Sequence, residues 1–260
     1  MLTLLSDFGY RDVYVGVMKG VIATINPQLK VVDLTHAIPP QNIAAARFAL
    51  LNAYAYFPPG TVHVAVIDPG VGSQRRGIAV EIAEGFLVGP DNGLFSGILA
   101  QSSGIAAVEL TNSLYWRSPF PSHTFHGRDI FAPVGAHLAG GIALKDLGKE
   151  VEVNTLVQLP LSAYKVKPER IIASIQYIDH FGNLITNIPA REVEGKSWFI
   201  VIGNQKIPAT QTYSDKALGE VVSLVGSHGW IEVAVNGGSA KKVLELNWGD
   251  QVEAIMTIKP

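Results

Sequence analysis

Acidic and basic side chains gather at the ends of short apolar runs. Asp7 follows Leu2–Leu5, Asp33 and His36 follow Lys30–Leu34, and Asp68 follows Thr61–Ile67. Arg75 and Arg76 lie in the glycine-rich loop beyond Asp68. Asp91 and Asn92 follow a later run, and His126 sits in Phe125-His126-Gly127-Arg128-Asp129. Both oxygens of a carboxylate accept hydrogen bonds, so Asp7 suits two vicinal ribose hydroxyls. A turn or helix-capping aspartate, a role also open to Asp12, is the plainer alternative. Asp68-Pro69-Gly70-Val71-Gly72 is a weak phosphate loop: it has neither GxGxxG nor GxxxxGK[ST], and it opens on an acid. It reads as a carboxylate that orients a polar small molecule, or else as a β-turn. Gly127 would let a ligand approach His126 closely. The plainer reading, a structural or surface histidine, covers His126 as well as His36, His63, His123, His137, His180 and His228.

Other chemistries find less support. There is no HExxH and no His/Asp cluster with ligand spacing, so no metal site is expected. No G-x-S-x-G elbow is present. Gly226-Ser227-His228-Gly229 lies among strands and lacks the strand–turn–helix context. Zero cysteines exclude disulfides, thiolate metal sites and a cysteine nucleophile. Asn183, Asn236, Gly237 and Gly238 are ordinary turn residues when taken alone.

The elements that must position these residues change character along the chain. The first half alternates strand and helix: Leu2–Leu5, a helix from Val13 to Ile25, Lys30–Leu34, a helix over Ala44–Tyr56, and Thr61–Ile67. This order predicts a mainly parallel sheet with flanking helices. Ile78–Ile82, Phe86–Val88 and Ala106–Leu110 add strands. A helix is expected over Leu94–Leu99, and another over Ile130–Leu138 with Pro133 early in it. From about residue 140 to Pro168 the chain reads as a polar linker of unusual length. Beyond it only strands are expected: Ile171–Ile178, Asn183–Thr186, Trp198–Ile202, Val221–Val225, Trp230–Val235 and Val252–Ile258. They suggest a small β-barrel or sandwich. Two domains follow, an α/β domain over 1–155 and an all-β domain over 165–260, with the boundary within 145–168.

The 260 residues carry 20 Lys plus Arg against 22 Asp plus Glu, a net charge of -2, which gives no basic footprint for nucleic acid. An early Asp7 argues against a signal peptide, and no apolar run is long enough to span a bilayer, so a cytoplasmic protein is expected. Charged residues are only 16%, where about 25% is usual. A surface short of charge favours a homo-oligomer over a compact monomer with a large buried sheet.

Taken in order, Ser6-Asp7-Phe8-Gly9, Ile67-Asp68-Pro69-Gly70-Val71-Gly72 with Arg75, and Gly89-Pro90-Asp91-Asn92-Gly93 resemble the S-adenosyl-L-methionine hydrolase (adenosine-forming) family. So do Phe125-His126-Gly127-Arg128-Asp129, Ile178-Asp179-His180-Phe181-Gly182-Asn183, and Gly226-Ser227 with Val233-Ala234-Val235-Asn236. The family is related to the S-adenosylmethionine-dependent fluorinase and chlorinase. The resemblance runs over nearly the whole chain. It implies an N-terminal α/β domain and a C-terminal β-barrel, assembled as a homotrimer with sites between the α/β domain of one subunit and the barrel of the next. It implies attack of water, held as incipient hydroxide, on C5′ of S-adenosylmethionine, giving adenosine and L-methionine without a metal or other cofactor.

The resemblance also assigns residues. Asp68, Arg75 and His126 match the catalytic set, in which a carboxylate and a histidine orient and deprotonate water beside a guanidinium. Asp7 matches the ribose ligand. Asp179, Phe181 and Asn183 match a segment binding the methionine part and the adenosine. Ser227 matches a methionine-binding serine, and the backbone of Val235, Asn236 and Gly237 matches the adenine reader. The halogenases carry a tyrosine where this chain has Asp68, which favours hydrolysis over halogenation. His228 stands where the fluorinase has an arginine for the methionine carboxylate, leaving that role open. A non-catalytic adenosine or S-adenosylmethionine binder and a halogenase are the alternatives.

Overall fold

The computed structural model describes residues 1–102 and 104–257 and shows two compact units, Met1–Leu159 and the chain from Pro160 onward. The first unit is built on β1 (Leu2–Ser6), β2 (Val31–Thr35), β3 (Thr61–Val66), β4 (Gly77–Ile82), β5 (Gly85–Pro90), β6 (Ala106–Glu109) and β7 (Lys149–Glu150). Its helices are α1 (Tyr14–Ile25), α2 (Ile43–Leu51), α3 (Ser96–Leu99) and α4 (Ala132–Ala139). The strands form one sheet in the order β2-β1-β3-β5-β4-β6-β7. Pairing is parallel from β2 through β1 and β3 to β5, and antiparallel from β5 to β7. The sheet is therefore mixed, because Gly85 closes β4 and β5 into a hairpin rather than a crossover.

Every residue of β1 and β3 is buried, the pattern of central parallel strands covered on both faces. Helix α1 turns Val15, Met18 and Ile22 inward, one face at helical spacing, while Tyr14 stays exposed. Helix α2 is shorter than the expected Ala44–Tyr56. It starts on an Asn42 cap, whose side chain accepts from the Ala45 N–H, and stops at Asn52, with a separate 3-10 turn over Tyr54–Tyr56. A π turn over Gly127–Phe131 precedes α4, and Pro133 sits in the first turn of α4 as expected. The stretch read as linker carries structure. β7 extends the first sheet, and β8 (Lys165–Lys167) pairs with β9 (Arg170–Ile178).

The second unit continues with β10 (Leu184–Pro189), β11 (Ser197–Ile202), β12 (Gln205–Pro208), β13 (Val221–Val225), β14 (Trp230–Val235), α5 (Ala240–Leu244) and β15 (Gln251–Thr257). Its antiparallel order is β12-β11-β15-β9-β10-β14-β13, with β8 beside β9. A bridge between Ala209 and Ser223 brings the two ends of this path together, so the sheet closes almost fully into a barrel. Ile171, Ile175, Leu184, Ile200, Ile231 and Val233 fill it. Helix α5 corrects the expectation of strands alone: Ser239 caps it, and Ala240 packs into the barrel core. Ile258, expected in the last strand, lies outside the described residues.

Candidate active site

The order of the first sheet fixes where a ligand pocket forms. From β1 the chain crosses to β2 on one side, then returns to β3 on the other. Such a switch leaves a crevice at the carboxyl ends of β1 and β3. Asp7 leaves β1 there and Asp68 leaves β3. A cavity of about 400 Å³ lies at this point, lined by Asp7, Phe8, Tyr14, Gln41, Asp68 and His126 among others.

The loop after Asp68 folds back on itself. Val71 N–H donates to the Asp68 carbonyl, and the Ser73 N–H and hydroxyl both donate to the Gly70 carbonyl. Gly72 takes φ +78°, and a side chain there would run into the His123 carbonyl, so only glycine fits this turn. The turn returns Arg75 to Asp68. The Arg75 Nε donates to Asp68 Oδ1 at 2.8 Å, and Nη2 donates to Oδ2, a bidentate fork. The second hydrogen of Nη2 points at His126 Nδ1, 2.6 Å away. Both charged groups are largely buried, and the guanidinium lies 5.3 Å from the centre of the Phe131 ring.

This contact decides the histidine tautomer. A guanidinium has only donors, so Nδ1 must be the acceptor, and the single proton of the neutral ring is on Nε2. Burial pushes the His126 pKa down, and Arg75 pushes it further; Asp68 and Asp129 oppose this without overcoming it. His126 is thus a neutral imidazole presenting an N–H donor. The expectation that it shares in deprotonating water does not fit this geometry, because its free lone pair is taken by Arg75.

The neighbours in the same motif are scaffolding. Asp129 is almost fully buried. Burial would raise its pKa, but hydrogen bonds from Arg128, the Ser122 N–H and Arg117 hold it below the usual carboxylate range. Gly127 leaves room for Met18, Phe125 and Phe8, each 3.3–3.4 Å from where a Cβ would stand. Phe8, Tyr14 and Phe125 contact one another as a ring cluster at the pocket wall. No spacing signal in the sequence marked this wall.

The remaining candidates separate cleanly. Asp7 accepts from the Gln41 N–H at 2.7 Å through Oδ2 and lines the pocket. It caps no helix: α1 begins after Val13, with no side-chain cap from Asp12 either. Arg76 pairs with Asp91 and also holds Thr155, while Asp91 accepts from the Val157 N–H, so this pair pins the end of the first unit. Asn92 donates to the Ile67 carbonyl. Asp33 pairs with Lys19, and fully buried His36 contacts Ser6 Oγ at 2.6 Å, behind the Asp7 loop. Among the described residues, no group of three His, Cys, Asp or Glu stands where it could hold a metal ion.

In the second unit, a cavity of about 850 Å³ brings together Asp179, Phe181, Asn183, Val235, Asn236 and Gly237. Asn183 donates through its N–H and Nδ2 to the two Asp179 oxygens, each at 2.9 Å. Phe181 is 72% exposed. The Val235 carbonyl accepts from Gly238, and both backbone groups of Asn236 pair with Gly219 and Glu220. Ser227 is not in this cavity. It sits in the exposed turn joining β13 to β14, with the stretch from Ile231 to Val235 between it and Asn236, about 13 Å at the usual strand rise.

These features define a class: an α/β unit followed by a β-barrel, with a carboxylate–guanidinium–imidazole cluster at the sheet's switch point. Family models match both units. The model described as the SAM hydroxide adenosyltransferase N-terminal domain matches residues 2–148, and that of the C-terminal domain matches 173–253. The chain belongs to the SAM hydroxide adenosyltransferase family. It is 42% identical over 258 residues to the (R)-S-adenosyl-L-methionine hydrolase of Thermus thermophilus, covering 96% of this chain and 98% of that one. It is 40% identical over 252 residues to the protein of the same name from Salinispora tropica, covering 96% of each. A fluorinase from Actinopolyspora mzabensis matches at 27% over 97% of this chain and 96% of its own. The solved structure of an uncharacterized conserved protein from Thermotoga maritima superposes with a TM-score of 0.92 at 34% identity, covering 98% of this chain and all of that one.

Proposed function

We propose that this protein hydrolyses S-adenosyl-L-methionine to adenosine and L-methionine. The observation that carries the reading is the closed Asp68–Arg75–His126 cluster on a pocket that also holds Asp7. A water oxygen forms a bond to C5′ while the C5′–S bond breaks, its electron pair going to sulfur. The leaving group departs as a neutral thioether, so no acid is required for it. The water proton is the group that must go somewhere. Asp68 keeps acceptor capacity beyond its Arg75 bonds and receives it, passing it to solvent, so that one proton is released per turnover. The His126 Nε2–H donates to the developing hydroxide, and the guanidinium behind both groups favours the negative form. Asp7 holds the ribose hydroxyls. Asp179, Phe181, Asn183, Val235, Asn236 and Gly237, which share one cavity, contribute to the methionine and adenosine contacts; Ser227 lies outside that cavity and takes no part in this scheme.

No metal or redox group enters this scheme. The enzyme acts as a cytoplasmic homotrimer with substrate sites between subunits. The low charge content and the exposed Tyr10, Val13, Phe181 and Leu218 support covered surfaces. Among the described residues no helix is long and apolar enough to cross a membrane.

The test is turnover in ¹⁸O-labelled water. Adenosine and methionine should appear in equal amounts, insensitive to EDTA, with the label on the adenosine 5′-oxygen. Unlabelled adenosine, or no adenosine from folded protein, overturns the reading. Tight binding without product would select the non-catalytic alternative. Asp68→Ala and His126→Ala should each lower turnover by about 10²-fold or more.

A further inference from the structure

The methionine end of the proposed substrate is a zwitterion, so its recognition calls for one acid and one cation. His228, which stands at the arginine position of the fluorinase pattern, is turned inward. Its Nδ1 accepts from the Trp230 N–H at 3.1 Å, and its Nε2 lies 2.9 Å from the buried Glu232 carboxylate. The other Glu232 oxygen takes the Tyr213 hydroxyl at 2.6 Å. Both ring nitrogens of His228 are engaged within the barrel, so it offers no donor to a carboxylate.

The same unit supplies a different cation. Lys242, on α5, lines the cavity that Asp179 lines. It is exposed, and its Nζ has no hydrogen bond or ion pair among the described residues. Asp179 is held in place by Asn183, yet Asp179 and Lys242 form no ion pair with each other. Opposite charges that line one cavity without pairing can each take one end of an α-amino acid head group, ammonium at Asp179 and carboxylate at Lys242. We infer that Lys242 binds the methionine carboxylate of the substrate. This rests on the hydrolase reading above and names a residue for the one contact that reading leaves open.

The inference is tested by equilibrium titration in an Asp68→Asn background, which slows turnover. The ligands are S-adenosylmethionine and its decarboxylated analogue, which keeps the amine and lacks the carboxylate. The parent should prefer S-adenosylmethionine by about 10- to 100-fold, the range of a charge-assisted hydrogen bond. Lys242→Met should abolish the preference, Lys242→Arg should keep most of it, and Lys241→Met, one position away, should leave it unchanged. A preference that survives Lys242→Met, or a parent with none, overturns the inference. Failure of the hydrolase reading looks different: the unsubstituted protein would release no adenosine, while a Lys242-dependent preference would still register in the titration.

Discussion

Replacing His126 by glutamine separates a hydrogen-bond donor from a proton acceptor. The Arg75 contact at 2.6 Å assigns the imidazole its tautomer, with Nδ1 accepting and Nε2 carrying the proton. Protonating Nδ1 would put two cations side by side and remove the acceptor that Arg75 uses. Two like charges 4 Å apart repel by about 4 kcal/mol at an effective dielectric of 20. The Asp68 carboxylate offsets part of this, and the net direction for the His126 pKa is downward. Activity that needs neutral His126 is therefore level above the depressed pKa and falls as pH drops below it, in a limb on the acid side of 6.5. Glutamine can accept from Arg75 through its oxygen and donate through its nitrogen, but it does not titrate. Adenosine release, followed by chromatography from pH 4.5 to 8, should show His126→Ala slower by about 10²- to 10³-fold, the loss for one donor to an oxyanion. His126→Gln should recover at least about tenfold of that loss, and its profile should lack the histidine limb. A glutamine variant no faster than alanine would refute the donor assignment, and a wild-type limb above pH 6.5 would refute the lowered pKa of His126.

Asp7→Ala should raise KM by about 10- to 100-fold with a smaller change in kcat, and it should erase discrimination against a substrate lacking a ribose hydroxyl. Equal loss on both substrates would remove Asp7 from the ribose contact. His63 is buried beside Thr3, and burial lowers its pKa to about 4. The unfolded chain takes up this proton near 6.5 and the folded chain does not, so stability falls as pH drops from 6.5 toward 4, by about 3 kcal/mol. Urea unfolding of wild type and His63→Gln at pH 7 and 4.5 checks this: a glutamine variant with the same pH loss would place the effect elsewhere.

The legible part of the sequence was the part with local signals. Strand–helix alternation marked the first three strands, and Asp7 and Asp68 stood out at the ends of two of them without any family pattern. What escaped depends on long-range approach. Nothing at Phe8, Tyr14 and Phe125 announces that three rings from distant segments form one wall. The 3-10 turns, β7 and β8 are too short to show a period, and the polar stretch containing β7 and β8 therefore read as linker. Helix α5 has five residues, too few for the 3.6-residue signature, and only the Ser239 cap marks its start. Arg75 and Arg76 were adjacent and chemically equal in the sequence. The fold separates them, sending one to Asp68 and His126 and the other to Asp91 and Thr155. His228 shows the opposite limit: its position in the pattern left the carboxylate contact open, and only the fold shows that Glu232, four residues along the same hairpin, claims its ring.

If Asp68 and Arg75 act as proposed, charge arithmetic accounts for an acid and a base being locked together there. The substrate carries a positive sulfonium beside the carbon under attack. A lone guanidinium near that carbon would stabilise hydroxide but repel the substrate, by about 3 kcal/mol at 5 Å and an effective dielectric of 20. A lone carboxylate would attract the sulfonium but disfavour a second anion next to it. Asp68 and Arg75, joined as a fork, have no net charge, so their fields largely cancel at long range while each group stays distinct to an atom in contact with it. In the proposed scheme the water meets an acceptor from Asp68, a donor from neutral His126 and a cation one layer back. A halide needs the donors and the cation but has no proton to give, so for it the Asp68 carboxylate is only repulsive. In the proposed scheme the same three side chains admit the cationic substrate, favour hydroxide as nucleophile and disfavour chloride or fluoride, and the fork between Asp68 and Arg75 makes these demands compatible.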